Sequence, residues 1–448
     1  MSRKRIAAAG LTLIVVVAGY FFIAFTYPKY AGRYPLLALL FVADIYVWGL
    51  FRRKVFTYNK TLKAASAVLY WSPLLLIAGH FILRILIPSR PLPAPVNTLL
   101  WGYVFSFYVA KLFSALVLFL SDLLRFIPHL RLSKPQTDQL ENQPDRPKLS
   151  RRRFLETLSL ATGGLVLSTL FTGMFRWVHD FNLKRVSVKV PGLPSSFENY
   201  RIVQISDLHL GSWSGADDLE QAIHEINNVQ PDLVVFTGDL VNFRTEEAFR
   251  FRETLKKLRA KDGVLATLGN HDYGDYVRWE SQAKKQQNMR DLYGFFNDIG
   301  WKLLRNEHFI LSRGDDKFAV LGVENWGSNP RFPQLGDIEK AAKGLGPIKP
   351  LILLSHDPSH WEAKVLKKHP EIFLTLAGHT HGFQFGIEIP GIKWSPAQYL
   401  YKQWTGLYEN PESGQLLYVN RGLGSIGYPG RIGILPEITI FDLQTQTR

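Results

Sequence analysis

Long apolar runs dominate the first 178 residues of this 448-residue chain. A helix needs about 20 mostly apolar residues to cross a hydrocarbon core of about 30 Å. Five stretches approach or reach that length, near residues 6–26, 36–51, 65–87, 97–120 and 154–175, and the second is the shortest. The pattern predicts a transmembrane helical domain of four spans over residues 1–127 and a fifth span over residues 154–178.

A different pattern begins near residue 185, where short β-rich runs alternate with amphipathic helical stretches. Runs such as RIVQIS, LVVFTG and LILLS are almost continuously apolar, which is typical of strands covered on both faces. Residues 216–230 place their apolar side chains on one helical stripe. The alternation predicts a layered α/β domain over residues 185–448.

Residues 128–153 lie between the fourth and fifth spans and are polar and proline-containing, which predicts a cytoplasmic linker without a core of its own. The linker ends in SRRRFL, residues 150–155, which resembles a twin-arginine export signal, although Glu156 stands where a lysine is common. An ordinary basic flank on a membrane helix explains the same residues. Both interpretations send the C-terminal domain across the membrane.

The net charge of +15 is unevenly distributed. Residues 1–178 contain 22 Lys and Arg against 6 Asp and Glu, whereas residues 179–448 contain 31 against 32. The charge therefore gives no support for nucleic acid as a partner of the C-terminal domain. The basic residues cluster at the N-terminus and after the second and fourth spans, so the positive-inside rule places the N-terminus in the cytoplasm. Five spans then put the C-terminal domain outside, and four would leave it inside.

Three ionisable side chains, those of Asp44, His80 and Lys111, fall inside the predicted spans. Ionisable groups in a bilayer are costly and often functional. No repeated charge pattern suggests a transport path, so a structural polar contact within the bundle is the favoured interpretation.

Polar side chains follow five of the predicted strands directly. They are Asp207 and His209 after RIVQIS, Asp239 after LVVFTG, Asn270, His271 and Asp272 after VLATLG, His356 after LILLS, and His379 and His381 after IFLTLAG. In open α/β sheets the ligand crevice lies at the carboxyl ends of the strands. Residues i and i+2 of extended backbone point the same way, so His379 and His381 are expected to face one point.

This set of side chains is typical of a metal site. The chain has no cysteine, which excludes disulfides, thiolate-bound zinc and a cysteine nucleophile. Nitrogen and oxygen ligands without sulfur suit Mn, Fe, Zn or Ni, whereas Ca and Mg would draw on more oxygen. Seven candidate ligands exceed one tetrahedral site, so two metals that share a carboxylate fit better. Such a pair suits in-line displacement at phosphorus.

The five sequence blocks resemble, in this order over roughly residues 195–445, the calcineurin-like metallophosphoesterases. The blocks are Asp207-x-His209, Gly238-Asp239, Gly269-Asn270-His271-Asp272, His356 and Gly378-His379-x-His381. The resemblance implies a four-layer αββα sandwich that follows the membrane domain, with two divalent ions, Mn, Fe or Zn, as cofactors.

The resemblance also implies a role for each residue. Asp207, His209 and His381 would hold one ion, and Asn270, His356 and His379 would hold the other. Asp239 would bridge the two ions. His271 would contact the phosphate and donate a proton to the leaving oxygen, and Asp272 would orient His271 through a hydrogen bond.

The late segments VNRGLG and PGRIGILPEI are similar to those of the membrane-linked bacterial branch of this family. That branch includes twin-arginine-exported phosphoesterases and an enzyme acting on a nucleotide-linked lipid precursor. The resemblance implies a multi-pass protein of the bacterial cytoplasmic membrane with an extracytoplasmic catalytic domain. Phe383 departs from the pattern, because a second glycine is usual there, and a bulky residue would be strained if the position requires a positive φ.

Three functions are compatible with these patterns. The first is a membrane-anchored dinuclear-metal phosphoesterase, with diesters favoured over monoesters, whose substrates include phosphate esters linked to lipid or to the cell envelope. The second is a cytoplasm-facing pyrophosphatase of a nucleotide-activated lipid precursor. The third is a metal-binding membrane receptor without catalysis. The expected partners are the phosphate-ester substrate, the lipid bilayer and, under the export interpretation, the twin-arginine translocation machinery.

Overall fold

The structure is a computed structural model that describes residues 3–26, 28–32, 34–87, 92–124 and 151–445. Most of the predicted linker, residues 128–150, lies outside the described residues. The chain divides into two compact units. The membrane unit comprises Met1–Pro91 and Leu100–Phe171, and the globular unit comprises Leu92–Leu99 and Thr172–Arg448.

The described residues of the N-terminal part of the chain are mostly helical. Its helices are α1 (Arg3–Thr26), α2 (Pro28–Ala31), α3 (Tyr34–Val55), α4 (Lys60–Leu86), α5 (Ala94–Leu124) and α6 (Arg151–Phe175). Four segments of the described residues are long and apolar enough to cross a membrane, namely Tyr34–Val55, Lys60–Leu83, Pro95–Leu123 and Arg153–His179. The apolar part of α1, Leu13–Thr26, is shorter than these four.

The second predicted span, which was the shortest in the sequence, is a full-length helix. Helix α3 continues past residue 51 through Arg52, Arg53 and Lys54 and ends at Val55 after 22 residues. Basic side chains in the last turn of a helix interact favourably with the negative end of its dipole. The three basic residues are therefore compatible with the helix continuing beyond the apolar run. Similarly, α6 begins at Arg151 and takes up the last three residues of the predicted linker.

A buried ion pair joins α3 and α5 within the membrane unit. Lys111 Nζ lies 2.5 Å from Asp44 Oδ1, and the Tyr108 hydroxyl donates to Asp44 Oδ2 at 2.9 Å. Lys111 also donates to the Tyr70 carbonyl at 2.8 Å. Buried charges are tolerated when they are paired and hydrogen-bonded, so these contacts account for both residues as structural polar contacts of the bundle.

The globular unit contains all the strands found in the described residues. They are β1 (Asn182–Val190), β2 (Tyr200–Ile205), β3 (Leu233–Phe236), β4 (Val264–Ala266), β5 (Trp301–Leu303), β6 (Glu307–Arg313), β7 (Asp316–Gly322), β8 (Leu351–Leu354), β9 (Ile372–Ala377), β10 (Ile387–Ile389), β11 (Ile392–Trp394), β12 (Gly406–Glu409), β13 (Leu416–Val419) and β14 (Glu437–Thr445). The helices are α7 (Asp217–Asn228), α8 (Glu246–Phe249), α9 (Arg252–Leu255), α10 (Gln282–Asp298), α11 (Ile338–Ala342) and α12 (Leu366–Lys368).

The strands form two six-stranded sheets and one small hairpin. The first sheet has the order β1-β14-β2-β3-β4-β5, with β2 to β5 parallel and β14 antiparallel to β2. The second has the order β12-β13-β9-β8-β7-β6, with parallel central strands and antiparallel edges. Strands β10 and β11 pair only with each other.

Alternating side chains on the central strands build two cores at once. In β2, Tyr200 and Ile202 pack between the two sheets, whereas Val203 and Ile205 pack beneath the helices. Helices α7 and α10 cover the outer face of the first sheet, and α11 covers that of the second. The layers are therefore helix, sheet, sheet, helix, which confirms the predicted α/β sandwich and explains why the strand sequences are continuously apolar.

The packing between the sheets generates a stability prediction. Ile202 is 0% exposed between the sheets, whereas Ile310 on the edge strand β6 is 37% exposed. Ile202→Ala is expected to lower the free energy of unfolding by about 2–5 kcal/mol, because it leaves a cavity. The matched Ile310→Ala should cost about 1 kcal/mol or less. Urea unfolding of the purified full chain, followed by tryptophan fluorescence, measures both, and equal losses would contradict this packing.

Candidate metal centre

The loops that follow five central strands meet at one end of the sandwich. Asp207 follows β2, Asp239 follows β3, and Asn270 follows β4, while His356 follows β8 and His379 follows β9. Hydrogen bonds join the loops of the two sheets, since His356 Nδ1 bonds to the Thr237 carbonyl at 2.7 Å. The carboxyl ends of both sheets therefore deliver their polar side chains to a common site.

The first ligand group consists of Asp207, His209 and His381. His381 Nε2 lies 3.2 Å from Asp207 Oδ1 and 3.0 Å from His209 Nε2. All three side chains are buried, and their ligand atoms lie within 4.8 Å of one another. This spacing is small enough for one cation to contact all three.

The second ligand group consists of Asp239, His356 and His379. His356 Nε2 lies 3.2 Å from Asp239 Oδ2 and 3.2 Å from His379 Nδ1. Asp239 Oδ2 also lies 3.6 Å from His209 Nε2, which belongs to the first group. The Asp239 carboxylate thus stands between the two groups, where a bridging ligand would have to be.

Unpartnered buried atoms at the site fit the presence of metal ions. Asn270 donates through Nδ2 to the Tyr276 hydroxyl at 2.7 Å, while its buried Oδ1 has no hydrogen-bond partner among the described residues. Buried polar atoms are normally hydrogen-bonded, so a free amide oxygen beside the second group suits a metal ligand. The donor set of imidazoles, carboxylates and one amide fits two divalent cations of the Mn, Fe or Zn type.

The protonation states of most ligand side chains also favour the binding of cations. Burial lowers the pKa of His209 and of His379 and so keeps both imidazoles neutral. Burial acts to raise the pKa of Asp207, but the neighbouring His381 and His356 outweigh it, and the pKa is lowered. Metals bind neutral imidazole and ionised carboxylate, which are the forms favoured here.

His356 is the exception among the ligands. Burial acts to lower its pKa, but Asp239 and Asp207 outweigh that effect and raise the pKa to about 10. Without a metal, the imidazolium therefore compensates the two carboxylates. A bound cation would take over that compensation, and proton release would accompany metal binding.

The backbone is strained at most of the ligands. Asp207, His209, Asp239, His379 and His381 have positive φ angles of 50°, 45°, 62°, 74° and 50°. Non-glycine residues in this region cost about 1–3 kcal/mol each and are retained where the surrounding structure enforces them, which is common at functional sites. Phe383 also has a positive φ, of 52°, so the departure from glycine at that position carries strain.

The positive φ values correct one expectation from the sequence. His379 and His381 were expected to share an extended backbone and to face one point. Both residues are left-handed instead, and each histidine contributes to a different ligand group, as the family resemblance implied. Gly378 makes the close approach possible, since a Cβ there would overlap Ser206 Oγ and Asp207 Oδ2.

Asp272 does not orient His271, so the expected hydrogen bond between them is a wrong prediction. The Asp272 carboxylate instead accepts hydrogen bonds from the backbone N–H groups of Gly269, Asp239 and Leu240 at 2.8–2.9 Å. These bonds hold the loop that carries Asp239. His271 Nδ1 bonds to a backbone oxygen, that of Asn242, at 2.7 Å.

Sequence reasoning missed several groups around the ligands. The Tyr401 hydroxyl lies 2.7 Å from His379 Nε2, and Asp357 Oδ2 lies 3.6 Å from the same nitrogen. Tyr276 stacks on His271 with ring centroids 4.2 Å apart. Asp357 could have been noticed because it directly follows His356. Tyr401 lies 20 residues beyond the GHTH motif in the aromatic-rich segment KWSPAQYLYKQW, and no local pattern assigns it to His379.

Two C-terminal arginines, which could have bound phosphate, are structural. Arg421 is buried and pairs with Glu388, with its Nη1 2.6 Å from Glu388 Oε2. Arg431 is also buried and donates through Nη2 to backbone oxygens, including that of Gly422 at 3.0 Å. Both guanidinium groups are therefore buried and bonded within the fold, Arg431 through its Nη2.

Comparisons with known proteins agree with both parts of the chain. Residues 200–383 match the family described as calcineurin-like phosphoesterase, and residues 28–177 match a family described as probable calcineurin-like phosphoesterase, transmembrane domain. The second match includes α3 to α6 and leaves out all of the chain before residue 28, where α1 lies.

Three relatives show how far the similarity extends. The uncharacterized metallophosphoesterase YkuE of Bacillus subtilis is 31% identical over 309 residues, which are 66% of this chain and 99% of that protein. A transmembrane protein with metallophosphoesterase domain from Danio rerio is 32% identical over 308 residues, and the match spans 65% of each chain. The UDP-2,3-diacylglucosamine pyrophosphatase LpxG of Chlamydia trachomatis is 31% identical over 280 residues, or 54% of this chain and 84% of that one.

The ligand groups generate a metal-binding prediction. His381→Ala is expected to remove one of two bound manganese ions, because its Nε2 lies between Asp207 and His209. Manganese at 100 times its dissociation constant should stabilise the wild type by about 2.7 kcal/mol per site, and the variant should lose one such contribution. Elemental analysis and thermal unfolding measure the two quantities. The exposed His224 provides the control His224→Ala, and equal metal contents in the two variants would contradict the assignment.

Proposed function

This chain belongs to the calcineurin-like phosphoesterase family, and on that premise we propose that it hydrolyses a phosphodiester or phosphomonoester with two divalent metal ions. The observation that carries the proposal is the position of Asp239, whose Oδ2 lies 3.2 Å from His356 Nε2 and 3.6 Å from His209 Nε2. One carboxylate between two buried ligand groups suits a pair of ions at phosphorus. Mn, Fe and Zn are the metals that we propose for it.

The metal ions, when bound, would supply activation of a water and neutralisation of phosphoryl charge. We propose that Asp207, His209 and His381 hold one ion, that Asn270, His356 and His379 hold the other, and that Asp239 bridges them. The buried setting excludes most water from these ligands, which strengthens the electrostatic interactions within the site.

His271 is the proposed general acid. Its Nδ1 faces the Asn242 carbonyl at 2.7 Å, and because a carbonyl only accepts, Nδ1 must carry a proton. Nε2 is then the atom that can hold a second proton and give it to the leaving oxygen. Stacking on Tyr276 and a ring contact with His209, 4.9 Å between centroids, hold the imidazole beside the first ligand group.

Asp272 positions the residues around the bridging carboxylate. By accepting three backbone hydrogen bonds it fixes the loop of Asp239 and the turn that carries His271. The His271 backbone N–H in turn donates to Asp239 Oδ1 at 2.8 Å. The bridging carboxylate and the proton donor are therefore positioned by one connected network.

A pyrophosphatase acting on a nucleotide-activated lipid precursor is the second candidate. The 31% identity to LpxG, whose name states that activity, favours it. The proposed site would suit such a substrate equally, because a pyrophosphate also presents phosphoryl oxygens to paired cations. A receptor without catalysis has less support, since the sequence retains all seven predicted ligands and His271.

The chain is a membrane protein, and we propose that it lies in the bacterial cytoplasmic membrane with the globular unit on the extracytoplasmic side. The basic residues after α3 and α5 support this orientation, because they place those loops in the cytoplasm and α6 then leads outward. A cytoplasmic N-terminus additionally requires α1 to cross. Glu156 pairs with Arg53 at 2.9 Å, which supports an ordinary basic flank at the start of α6 over a twin-arginine signal.

The assignment of His271 predicts a catalytic defect without a metal defect. His271→Ala is expected to lower kcat for an aryl phosphodiester by about 10²–10⁴, because general acid catalysis is lost. Metal content should stay at the wild-type level. His308→Ala is the control, since His308 bonds to the Ala341 carbonyl at 2.7 Å on an edge strand. Equal rates for His271→Ala and the wild type with Mn, Fe and Zn would overturn the proposed function.

The orientation predicts the behaviour of a reporter fused after Arg448. An alkaline phosphatase, which is active only outside the cytoplasm, should be active in the full-length fusion. Deletion of residues 1–26 removes α1 but keeps the basic residues after α3 and α5, so the shortened fusion should stay active. A cytoplasmic reporter should be inactive in both fusions. An inactive phosphatase together with an active cytoplasmic reporter in the full-length fusion would place the domain on the cytoplasmic side.

A further inference from the structure

An exposed apolar surface lies close to the metal centre. Between residues 180 and 445, exposed large hydrophobic side chains concentrate in one segment of the chain. Eight of the fourteen such side chains in this range lie within residues 383–407, namely Phe383, Phe385, Ile387, Ile389, Ile392, Tyr399, Leu400 and Leu407. Soluble surfaces rarely collect such side chains in one place, and larger apolar patches mark interaction sites.

The centre of this surface is the apolar hairpin, which we define as residues 385–394 and which contains β10 and β11. Ile387 pairs with Trp394 and Ile389 pairs with Ile392, so these four side chains share one face. The three isoleucines are 48%, 54% and 53% exposed. Phe385 extends the face, since its ring lies 6.1 Å from that of Trp394.

The opposite face of the hairpin is charged and points toward the protein. Glu388 pairs with Lys393 across the hairpin. Glu388 also accepts hydrogen bonds from the buried Arg421, and Lys393 donates to the Thr405 carbonyl at 2.9 Å. A hairpin in water normally buries its apolar face and exposes its charges. In this hairpin the charged side chains, although partly exposed, are bonded to the protein, and the apolar face is left uncovered. The outward face therefore suits an apolar environment.

Hydrogen bonds connect the hairpin to the end of a membrane-spanning helix. Gly386 N–H donates to the Ile432 carbonyl at 2.9 Å, and Ile432 N–H donates to the Gln384 carbonyl at 2.8 Å. The preceding residue, Arg431, donates through its N–H to the Gly173 carbonyl in the last turn of α6 at 3.2 Å. A Cβ at Gly173 would overlap the Arg431 carbonyl, so this contact requires glycine.

The hairpin is also joined to the metal centre. Ser395, directly after β11, donates through Oγ to the Gly382 carbonyl at 2.7 Å. Gly382 follows the ligand His381 in the chain. One short segment therefore links a metal ligand, the outward apolar face and, through residues 431–432, the end of α6.

We propose that the outward face of the apolar hairpin inserts into the interfacial region of the lipid bilayer that holds α6. The short connection to α6 favours the bilayer over another protein as the occupant of this face. Isoleucine and tryptophan suit that region, because apolar side chains enter the acyl boundary and tryptophan favours the headgroup level. The metal centre then lies at the level of the lipid headgroups. From this position we infer that its substrate is a phosphate ester carried by a lipid, and this inference rests on the proposed function.

The absence of cysteine makes a direct test possible. Ile389→Cys, labelled with an environment-sensitive fluorophore, gives one probe on the full chain in phosphatidylglycerol–phosphatidylethanolamine vesicles. Insertion predicts a blue-shifted emission that lipids brominated on their acyl chains quench. The matched control is Ser413→Cys, an exposed residue in the loop before β13, at the end of the strand away from the metal centre. Its probe should stay in water and resist quenching.

Two results of this labelling experiment would overturn the proposal. One is equal quenching of the two probes by brominated lipid. The other is oxidative cross-linking of Ile389→Cys chains to each other without lipid quenching, which would assign the face to a second copy of the chain. Neither result depends on catalysis, so insertion can fail or succeed independently of the proposed function.

A second measurement tests the consequence for substrate. The triple variant Ile387→Ser, Ile389→Ser, Ile392→Ser is compared with the wild type on phosphatidyl-p-nitrophenol in vesicles and on soluble bis-p-nitrophenyl phosphate, which share a leaving group. Turnover of the lipid probe should fall about tenfold, because the hairpin no longer anchors the site at the bilayer, while turnover of the soluble probe stays unchanged. Equal losses on both probes would overturn the lipid-carried substrate. Failure of the wild type on both would overturn the proposed function instead.

Discussion

The structure depends on the Asp239 carboxylate, which stands desolvated between two groups of buried imidazoles and a second carboxylate. An isolated buried charge is very costly, and only close opposite charges compensate it. In the chain alone, His356 supplies that compensation, which is why its pKa is raised to about 10 despite burial. The same arrangement is complementary to divalent cations, because their charge replaces that of the imidazolium. The proton on His356 therefore balances the carboxylates in the chain alone, and bound divalent cations would take its place.

The sandwich supplies the rigidity that such a centre requires. Five ligands adopt left-handed backbone conformations, and these persist only where packing enforces them. The strands before them are buried on both faces, between the two sheets and beneath the helices. Asp272, hidden below the site, holds three backbone N–H groups of the ligand loops. The hydrophobic cores thus hold the ligand residues in their strained backbone conformations. These residues lie at the ends of the strands, where the metal ligands also lie.

The last turn of α6 packs as part of the globular unit and bonds to the loop around Arg431. That loop contains the buried guanidinium of Arg431, which holds three backbone carbonyls, among them that of Gly422 beside Asp207. The end of this membrane helix is therefore part of the packing that supports the first ligand group.

The sequence by itself determined the long apolar helices, the strand-rich domain and the ligand types. Apolar length and alternation follow directly from burial, and motif residues at strand ends follow from the geometry of parallel sheets. Only the tertiary structure decided how the residues are used. It gave the ligand residues their positive φ angles, directed the Asp272 carboxylate to backbone N–H groups, and placed the Asn242 carbonyl at His271 and Tyr401 at His379. It also showed that the IEIPGIKW segment bonds its charged side chains to the protein and leaves its isoleucines exposed. These features depend on backbone turns and on contacts between residues that are distant in the chain, and no local pattern specifies either.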